Sequence, residues 1–145
     1  TSGVRGLATY IRVGLAGFLK YAPERYQIAI NGESLERKAL LIAVANASQY
    51  GNNARIAPIA SLQDGLLDLV IVERASLTAI PRLFSGTLHR APGITMRRGN
   101  HIEIRRPASG PAHLDGEPVT LPEKLMVEVV PKSLRVLLPD SVSAI

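Results

Sequence analysis

Residues 46–68 read N-A-S-Q-Y-G-N-N-A-R-I-A-P-I-A-S-L-Q-D-G-L-L-D and connect two strongly apolar runs. The first run, Ala39 to Ala45, leads into this stretch, and the second, Leu66 to Val72, leads out of it. Apolar runs of this length, bounded by turn residues, are typical of buried β-strands. The stretch between them contains glycine, asparagine, proline and carboxylates, and polar loops between buried strands often carry functional sites. We therefore predict a functional loop here, and we interpret the rest of the chain as support for it and for a later tripeptide, Asp115-Gly116-Glu117.

The composition is that of one folded domain. The chain has 145 residues, of which 46% are hydrophobic, so it can bury a sizeable core and is not disordered. It has no cysteine, which excludes disulfides and thiolate metal sites and suits a cytoplasmic protein. No apolar run approaches the ~20 residues that a membrane-spanning helix needs, and the first ten residues do not resemble a signal peptide.

The formal net charge of +5 comes mostly from arginine. Two interpretations are open: an arginine-rich solvated surface, or attraction to anionic lipid or phosphate, for which Arg97 and Arg98 are candidates. Aromatic residues make up only 4% of the chain and are not interleaved with basic stretches, so the stacking platforms of nucleic-acid-binding proteins are missing. We therefore expect no nucleic-acid partner.

The periodicity of the sequence predicts a mainly β protein with two helices. Apolar residues at helical spacing predict a helix over Leu7 to Tyr21, within a leading segment 1–22, and a second, short helix over Ser76 to His89. Asn31-Gly32 is a strong hairpin signal. Beyond the two runs beside the loop, strands are predicted over 26–30, 94–98, 101–105, 112–114, 125–130 and 134–138. Because strands and helices do not alternate, we predict a two-layer antiparallel β-sandwich over residues 26–139, in a single domain 1–145.

Asp64-Gly65 permits two interpretations. A tight turn before a strand is the simpler one. The other is a site for a hard cation, because Mg²⁺ is often held by one carboxylate together with backbone carbonyls and waters. Ser61 and Leu66 lie close enough along a curled loop to supply those carbonyls. The candidate magnesium ligands are therefore Ser61, Asp64 and Leu66.

Asp115-Gly116-Glu117 is also ambiguous. Asp-Gly is typical of a hairpin turn, which would leave Glu117 solvated and without a function. A carboxylate on a rigid turn can also accept a proton from a hydroxyl group, which makes Glu117 a candidate general base. His113, two residues before Asp115, is a weaker candidate because single histidines are more often structural.

Asn46 and the group Gly51-Asn52-Asn53 form the third candidate. Glycine and asparagine tolerate positive φ, so the group is either a tight loop or an anion-binding nest of backbone N–H groups. The sequence contains no P-loop, no G-x-G-x-x-G and no H-x-x-x-H pair. It therefore has no motif with which to bind ATP by itself.

The order of these motifs resembles one protein family. Asn46 and its glycine-containing turn are followed by Ile56-Ala57-Pro58, by Asp64-Gly65-Leu66-Leu67-Asp68 and by Asp115-Gly116-Glu117. Val129-Val130-Pro131 and Leu137-Leu138-Pro139 close the series. The series resembles the C-terminal domain of the diacylglycerol kinase and sphingosine kinase superfamily, in particular the bacterial lipid kinases.

That resemblance implies an enzyme of two domains. An N-terminal nucleotide-binding domain with a G-G-D-G-T motif would bind ATP, and it is absent from this chain. Relatives often have glycine at Asn52 and Asn53, which is a departure. By resemblance, Asp64 is the aspartate of a Mg²⁺ site with the carbonyls of Ser61 and Leu66, Glu117 is the proton acceptor, and Asn46 faces the cleft between the domains.

We therefore expect the C-terminal, lipid-binding half of an ATP-dependent lipid kinase whose acceptor is diacylglycerol or a similar lipid. The chain alone is expected to be inactive, either as a piece of a longer kinase or as a partner of a separate nucleotide-binding chain. The alternative is a non-catalytic lipid-binding or membrane-binding β-domain, or an accessory subunit. The expected location is the cytoplasm, peripheral at the membrane surface, and exposed edge strands suggest a homodimer.

Overall fold

The computed structural model describes residues 22–74, 76–135 and 137, to which every structural statement below refers. The strands are β1 (Glu24–Ile30), β2 (Glu33–Ala39), β3 (Leu41–Ala45), β4 (Leu67–Val72), β5 (Ile94–Gly99), β6 (His101–Arg105), β7 (Gly110–Leu114), β8 (Glu117–Leu121) and β9 (Lys124–Glu128). Between β4 and β5 lie the helix α1 (Ala79–Ser85) and a single 3-10 turn, Leu88–Arg90. The predicted mainly β fold is confirmed.

The strands form two antiparallel sheets and a separate two-stranded ribbon. One sheet has the order β2-β1-β6-β9, the other has the order β3-β4-β5, and β7 pairs with β8 alone. Buried residues of both sheets share one core, which contains Ile28, Ile30, Ala39, Leu67, Leu69, Ile71, Ile102 and Ile104. Each of these aliphatic side chains larger than alanine stabilises the fold by about 1.5–3 kcal/mol when fully buried. The two sheets are therefore the layers of the predicted sandwich.

The β1–β2 hairpin turns at Asn31-Gly32, as predicted. Asn31 and Gly32 have φ values of 51° and 90°, which are the left-handed conformations that a two-residue hairpin turn requires. One prediction about the following segment is wrong: the run from Ala39 to Ala45 is not one strand. Ala39 ends β2, and β3 begins at Leu41. The strand β2 was missed because its sequence, E-S-L-E-R-K-A, has too few apolar residues to show a period.

Both apolar runs beside the loop were predicted to be buried strands, but of β3 and β4 only β4 is buried on both faces. β3 lies at the edge of its sheet, and its residues are exposed or half-buried. All six residues of β4 are buried. Alternate side chains point to opposite faces, so Leu67, Leu69 and Ile71 enter the sandwich core. Val70 and Val72 pack on the other side against Ala57, which belongs to the long loop between β3 and β4.

The helix α1 is shorter than the predicted span of Ser76 to His89. Thr78 occupies the N-cap position, but its hydroxyl group bonds to that of Ser76 at 2.8 Å and does not cap the helix. Gly86, at φ 72°, ends the helix by donating its backbone N–H to the Arg82 carbonyl. A left-handed glycine commonly ends a helix. The apolar residues beyond Gly86 therefore lie in a 3-10 turn and not in a continuation of the helix.

Two predictions concern the ends of the chain. The predicted strand over residues 134–138 is wrong where the structure describes it, because 134, 135 and 137 are not in a strand and Leu137 is fully exposed. The chain turns at Lys132, which has a φ of 57°, just after the edge strand β9. The predicted leading helix lies outside the described residues. Among the described residues, none of the helical segments is long and apolar enough to cross a membrane.

Candidate functional site

Glu117 lies at the tip of the β7–β8 hairpin. Leu114 and Glu117 are paired across the two-residue turn Asp115-Gly116, whose φ values are 49° and 94°. Both values belong to the type I′ turn that Asp-Gly favours. The Glu117 side chain is exposed to solvent. The sequence therefore holds a solvent-exposed carboxylate on a short, defined turn.

Arg106 binds the base of this hairpin. Its guanidinium Nη2 donates to the Gly110 carbonyl at 2.7 Å and also to the Leu121 carbonyl, so it links the first residue of β7 with the last residue of β8. Its Nε donates to the Pro122 carbonyl at 3.2 Å. A planar guanidinium can hold several acceptors in a fixed arrangement, which an ammonium group cannot do. The sequence does not predict this role, because no local pattern distinguishes an arginine that binds only carbonyls.

The long loop between β3 and β4 covers the outer face of the three-stranded sheet. Ala57 is fully buried there, and its N–H contacts the Ser48 carbonyl at 3.4 Å. Asn52 and Asn53 have φ values of 45° and 60°, so they adopt the left-handed conformation in a tight turn. This geometry is common to a tight loop and to an anion-binding nest, so an anion-binding role of this turn stays a prediction. Asn46 follows β3 directly and is exposed.

The candidate metal loop is curled by its own side chains. Asp64 Oδ1 accepts the backbone N–H of Leu66 at 2.9 Å, and Ser61 Oγ accepts the backbone N–H of Gln63 at 3.3 Å. Such side-chain bonds to the backbone two residues later stabilise tight turns. Gly65, with a φ of 69°, allows the chain to enter β4 immediately afterwards. These two bonds curl the segment that contains Ser61, Asp64 and Leu66, while the role of these residues as metal ligands stays a prediction.

Asp68 and Arg98 complete this site, and the sequence did not reveal them as a pair. Arg98 is the cross-strand neighbour of Asp68 in the β4–β5 pairing. Its Nη2 binds Asp64 Oδ2, and its Nε lies 3.3 Å from Asp68 Oδ1. The sequence feature that could have indicated this pair is Asp68 itself, a carboxylate within the otherwise apolar strand β4. Arg98, which the sequence suggested as a lipid headgroup contact, is engaged with two carboxylates.

Asp68 is fully buried, with 0% of its surface exposed. Neither carboxylate oxygen receives a hydrogen bond of good geometry from the described residues. Burial raises the pKa of Asp68, the neighbouring Arg98 partly offsets this rise, and the Asp64 carboxylate adds to it. A buried carboxylate with unsatisfied oxygens is costly in its ionised form, and a neighbouring cation such as Arg98 offsets part of that cost.

Asp64 is an oxygen donor of the kind that a hard divalent cation takes, but the Leu66 N–H and the Arg98 guanidinium occupy its two oxygens, so the metal site stays a prediction. The described residues contain no group of three or more histidine, cysteine, aspartate or glutamate side chains with the geometry of a metal site. A cation here would therefore take carboxylate, backbone carbonyl and water oxygens, which is the donor set that Mg²⁺ prefers. The unsatisfied oxygens of Asp68 add negative charge beside this turn.

The candidate residues form two separate groups. Asp64 lies with Asp68 and Arg98 beside the three-stranded sheet, whereas Glu117 lies on the isolated β7–β8 ribbon. Within the described part of the chain, neither a hydrogen bond nor an ion pair joins Glu117 to Asp64. Asp64 and Glu117 therefore belong to separate parts of the described structure, and their roles as metal ligand and general base stay separate predictions.

Comparison with known families gives one match over most of the chain. The profile described as "YegS C-terminal NAD kinase beta sandwich-like domain" matches residues 2–138. The chain is 30% identical over 139 residues to "Probable lipid kinase YegS-like" of Shewanella frigidimarina, covering 94% of this chain and 45% of that protein. It is 32% identical over 137 residues to "Probable lipid kinase YegS" of Salmonella heidelberg, covering 92% and 44%. The chain thus spans less than half the length of these curated relatives.

Solved structures from Bacillus anthracis show the same fold. One crystal structure aligns with a TM-score of 0.62 at 19% identity and covers 92% of this chain and 50% of that chain. Another, described as a diacylglycerol kinase, aligns with a TM-score of 0.54 at 18% identity and covers 82% and 47%. These similarities support the architecture of the sandwich.

Proposed function

The chain belongs to the family of YegS C-terminal, NAD kinase-like β-sandwich domains, and from this premise we propose that it is the C-terminal, lipid-binding half of an ATP-dependent lipid kinase. The observation that carries the proposal is the family match over residues 2–138, together with curated relatives named as lipid kinases. A nucleotide-binding domain, which would supply the ATP site, completes the enzyme. Diacylglycerol is the proposed acceptor.

Glu117 is the proposed general base. It accepts the proton of the lipid hydroxyl while that oxygen forms a bond to the γ-phosphorus of ATP. The bond from that phosphorus to the bridging oxygen breaks, so the products are ADP and a phosphorylated lipid. Phosphoryl transfer depends mainly on positioning and charge neutralisation, so one exposed carboxylate on a short turn is sufficient as the protein's proton acceptor.

Asp64 is the proposed metal ligand, with the carbonyls of Ser61 and Leu66. Bound Mg²⁺ would supply positive charge that neutralises the Asp64 carboxylate. The chain's own residues curl the turn and connect it to β4, so the role of the site is to hold the loop whose first residue, Asn46, faces the nucleotide domain. We propose a location in the cytoplasm at the membrane surface, and a homodimer.

The kinetic test uses the intact native protein with ATP and vesicles that contain diacylglycerol. Glu117→Gln removes the proton acceptor but keeps the size of the side chain, so kcat should fall about a hundredfold or more while the protein stays folded. Glu33→Gln is the control, because Glu33 is exposed at the start of β2. An unchanged kcat in Glu117→Gln would exclude Glu117 as the base.

The metal test is thermal. Added Mg²⁺ should raise the melting temperature of the native protein and should leave that of Asp64→Ala unchanged, because a ligand that binds only the folded state stabilises it. Equal shifts in the two proteins would contradict a metal site at Asp64.

A non-catalytic lipid-binding domain is the second candidate. It is favoured by apolar side chains that are exposed on the described surface, among them Leu114 beside the hairpin tip, Met126 on β9 and Val130 after it. The discriminating measurement is sedimentation of the intact protein with diacylglycerol vesicles, in parallel with the kinase assay. Vesicle binding without phosphorylated lipid in the presence of ATP and Mg²⁺ would favour this candidate over the kinase.

A further inference from the structure

Arg98 occupies a position between two carboxylates. Its Nη2 binds Asp64 Oδ2, and its Nε lies 3.3 Å from Asp68 Oδ1. About a third of the Arg98 side chain is exposed, whereas Asp68 is fully buried. Two carboxylates and one guanidinium leave one unbalanced negative charge, at a point where one carboxylate cannot reach water.

The burial of Asp68 distinguishes this cluster from an ordinary surface ion pair. Both of its oxygens are buried and lack a hydrogen bond from the described residues. Surface ion pairs contribute little, but a buried carboxylate that loses its counter-ion is strongly destabilising. Arg98 is therefore required by Asp68, whereas Asp64 has solvent access and a backbone N–H to satisfy it.

We infer that Asp64 and Asp68 form a two-carboxylate cation site whose resident cation is Arg98, and that a divalent cation at Asp64 displaces the guanidinium onto Asp68. The inference rests on the proposed metal site at Asp64. It adds Arg98 to that site as a competitor of the metal, and Asp68 as a second carboxylate. Arg98 acts as a positioning residue. It neutralises the turn when the metal is absent, and it satisfies Asp68 when the metal is bound.

Counting charges predicts how each variant binds Mg²⁺. Arg98→Gln leaves two carboxylates without a cation, so the Mg²⁺ dissociation constant should fall about tenfold, since a neighbouring unit charge acts strongly at a partly buried site. Asp68→Asn leaves the guanidinium only Asp64 to bind, so the constant should rise about tenfold. The double variant Asp68→Asn with Arg98→Gln restores the charge of the native site, and its affinity should be close to native.

The experiment is calorimetric titration of the intact native protein and its variants with MgCl₂. Arg97→Gln is the matched control: it removes the same charge from the adjacent residue, whose guanidinium Nη1 donates to the Met96 carbonyl and has no carboxylate partner in the described residues. Tighter binding in Arg98→Gln, with no change in Arg97→Gln, supports the inference. Unchanged or weaker binding in Arg98→Gln overturns it.

Thermal unfolding without Mg²⁺ tests separately whether Arg98 is the counter-ion of Asp68, and it can be measured even if single variants are less stable. Arg98→Gln should lower the melting temperature, because Asp68 is then unpaired, and adding Asp68→Asn should recover most of that loss. Additive losses would overturn the role of Arg98 as the counter-ion of Asp68. If native protein binds no Mg²⁺ but Arg98→Gln does, competition is supported and the metal proposal fails for the native protein. If neither binds Mg²⁺, both fail.

Discussion

Asn31 connects two distant turns. Its Oδ1 accepts the backbone N–H groups of Asn100 at 3.1 Å and His101 at 3.2 Å, and its own N–H donates to the His101 carbonyl at 2.9 Å. Asn100 lies between β5 and β6, where the chain crosses from one sheet to the other. A single side chain therefore ties the β1–β2 turn to the connection between the layers.

Asn31 has two roles: its side chain accepts two backbone N–H groups, and its backbone adopts the positive φ of the turn. Substitutions can separate these roles. Asn31→Ala should lower the free energy of unfolding by about 2–3 kcal/mol, because two backbone N–H groups lose their acceptor and alanine is strained at positive φ. Asn31→Gly relieves only the strain and should lose less, while Asn31→Asp keeps the acceptor and should stay close to native. Urea denaturation measures all three. A native stability of Asn31→Ala would show that neither role matters.

The individual turn residues are what the sequence predicts best. Asn31-Gly32 and Asp115-Gly116 were identified as hairpin turns because positive φ is rare outside glycine, asparagine and aspartate. The pairing of Asp68 with Arg98 was not predictable in this way. It depends on the register of β4 with β5, which are separated in sequence by the helix and its connections.

At the scale of elements, the β7–β8 ribbon is the least supported part of the described structure. It pairs with no other described strand, and every residue of its two strands is exposed or half-buried. The guanidinium of Arg106 holds its two strands together at the base. We therefore expect the geometry at Glu117 to depend on Arg106, although the two residues lie at opposite ends of the ribbon.

Arg106→Ala should loosen the ribbon without unfolding the sandwich. Amide hydrogens of β7 and β8 should exchange about tenfold faster or more, because hydrogen bonds from a charged donor are lost, while those of β1 and β6 stay protected. Arg106→Lys should rescue only partly, since an ammonium group cannot reach all the carbonyls. Hydrogen exchange detected by mass spectrometry separates the elements. Equal acceleration in all strands would contradict a local role.

Glu103 links β6 to β9 through charges. It accepts from Arg105 Nε at 2.8 Å and lies 3.2 Å from Lys124 Nζ. Its hydrogen bonds to Arg105 and Lys124 lower its pKa below the ordinary value. A lowered folded-state pKa contributes stability that is present above the unfolded pKa and is lost as pH falls through the folded pKa.

The expected effect of Glu103 is a small loss of stability on acidification. The melting temperature of Glu103→Gln should therefore fall less than that of the native protein between neutral and acidic pH. The difference should shrink in high salt, because exposed charges are screened. Parallel pH profiles of the two proteins would rule out this contribution.

At the scale of the whole molecule, the sandwich was predictable and its connections were not. Apolar alternation located most strands, and the absence of strand–helix alternation excluded a parallel sheet. The sequence does not reveal that β4, and not β3, is the strand covered on both faces. The second face of β4 is covered by the long loop, which folds back so that Ala57 packs on Val70. The alternation of apolar residues within a strand does not predict the path of a loop.

A single core shared by both sheets makes the unfolding of the sandwich cooperative. Leu69 is fully buried in that core, so Leu69→Ala should lower the free energy of unfolding by about 2–5 kcal/mol. Protected amides of β1, β4 and β6 should then exchange faster together, because the layers cannot lose this contact separately. Val70→Ala is the matched control on the opposite face of the same strand. It should release the loop first, with faster exchange at the amide of Ala57 than at those of β1. If Leu69→Ala loosened β4 while β1 and β6 kept their native protection, the two sheets would be independent units.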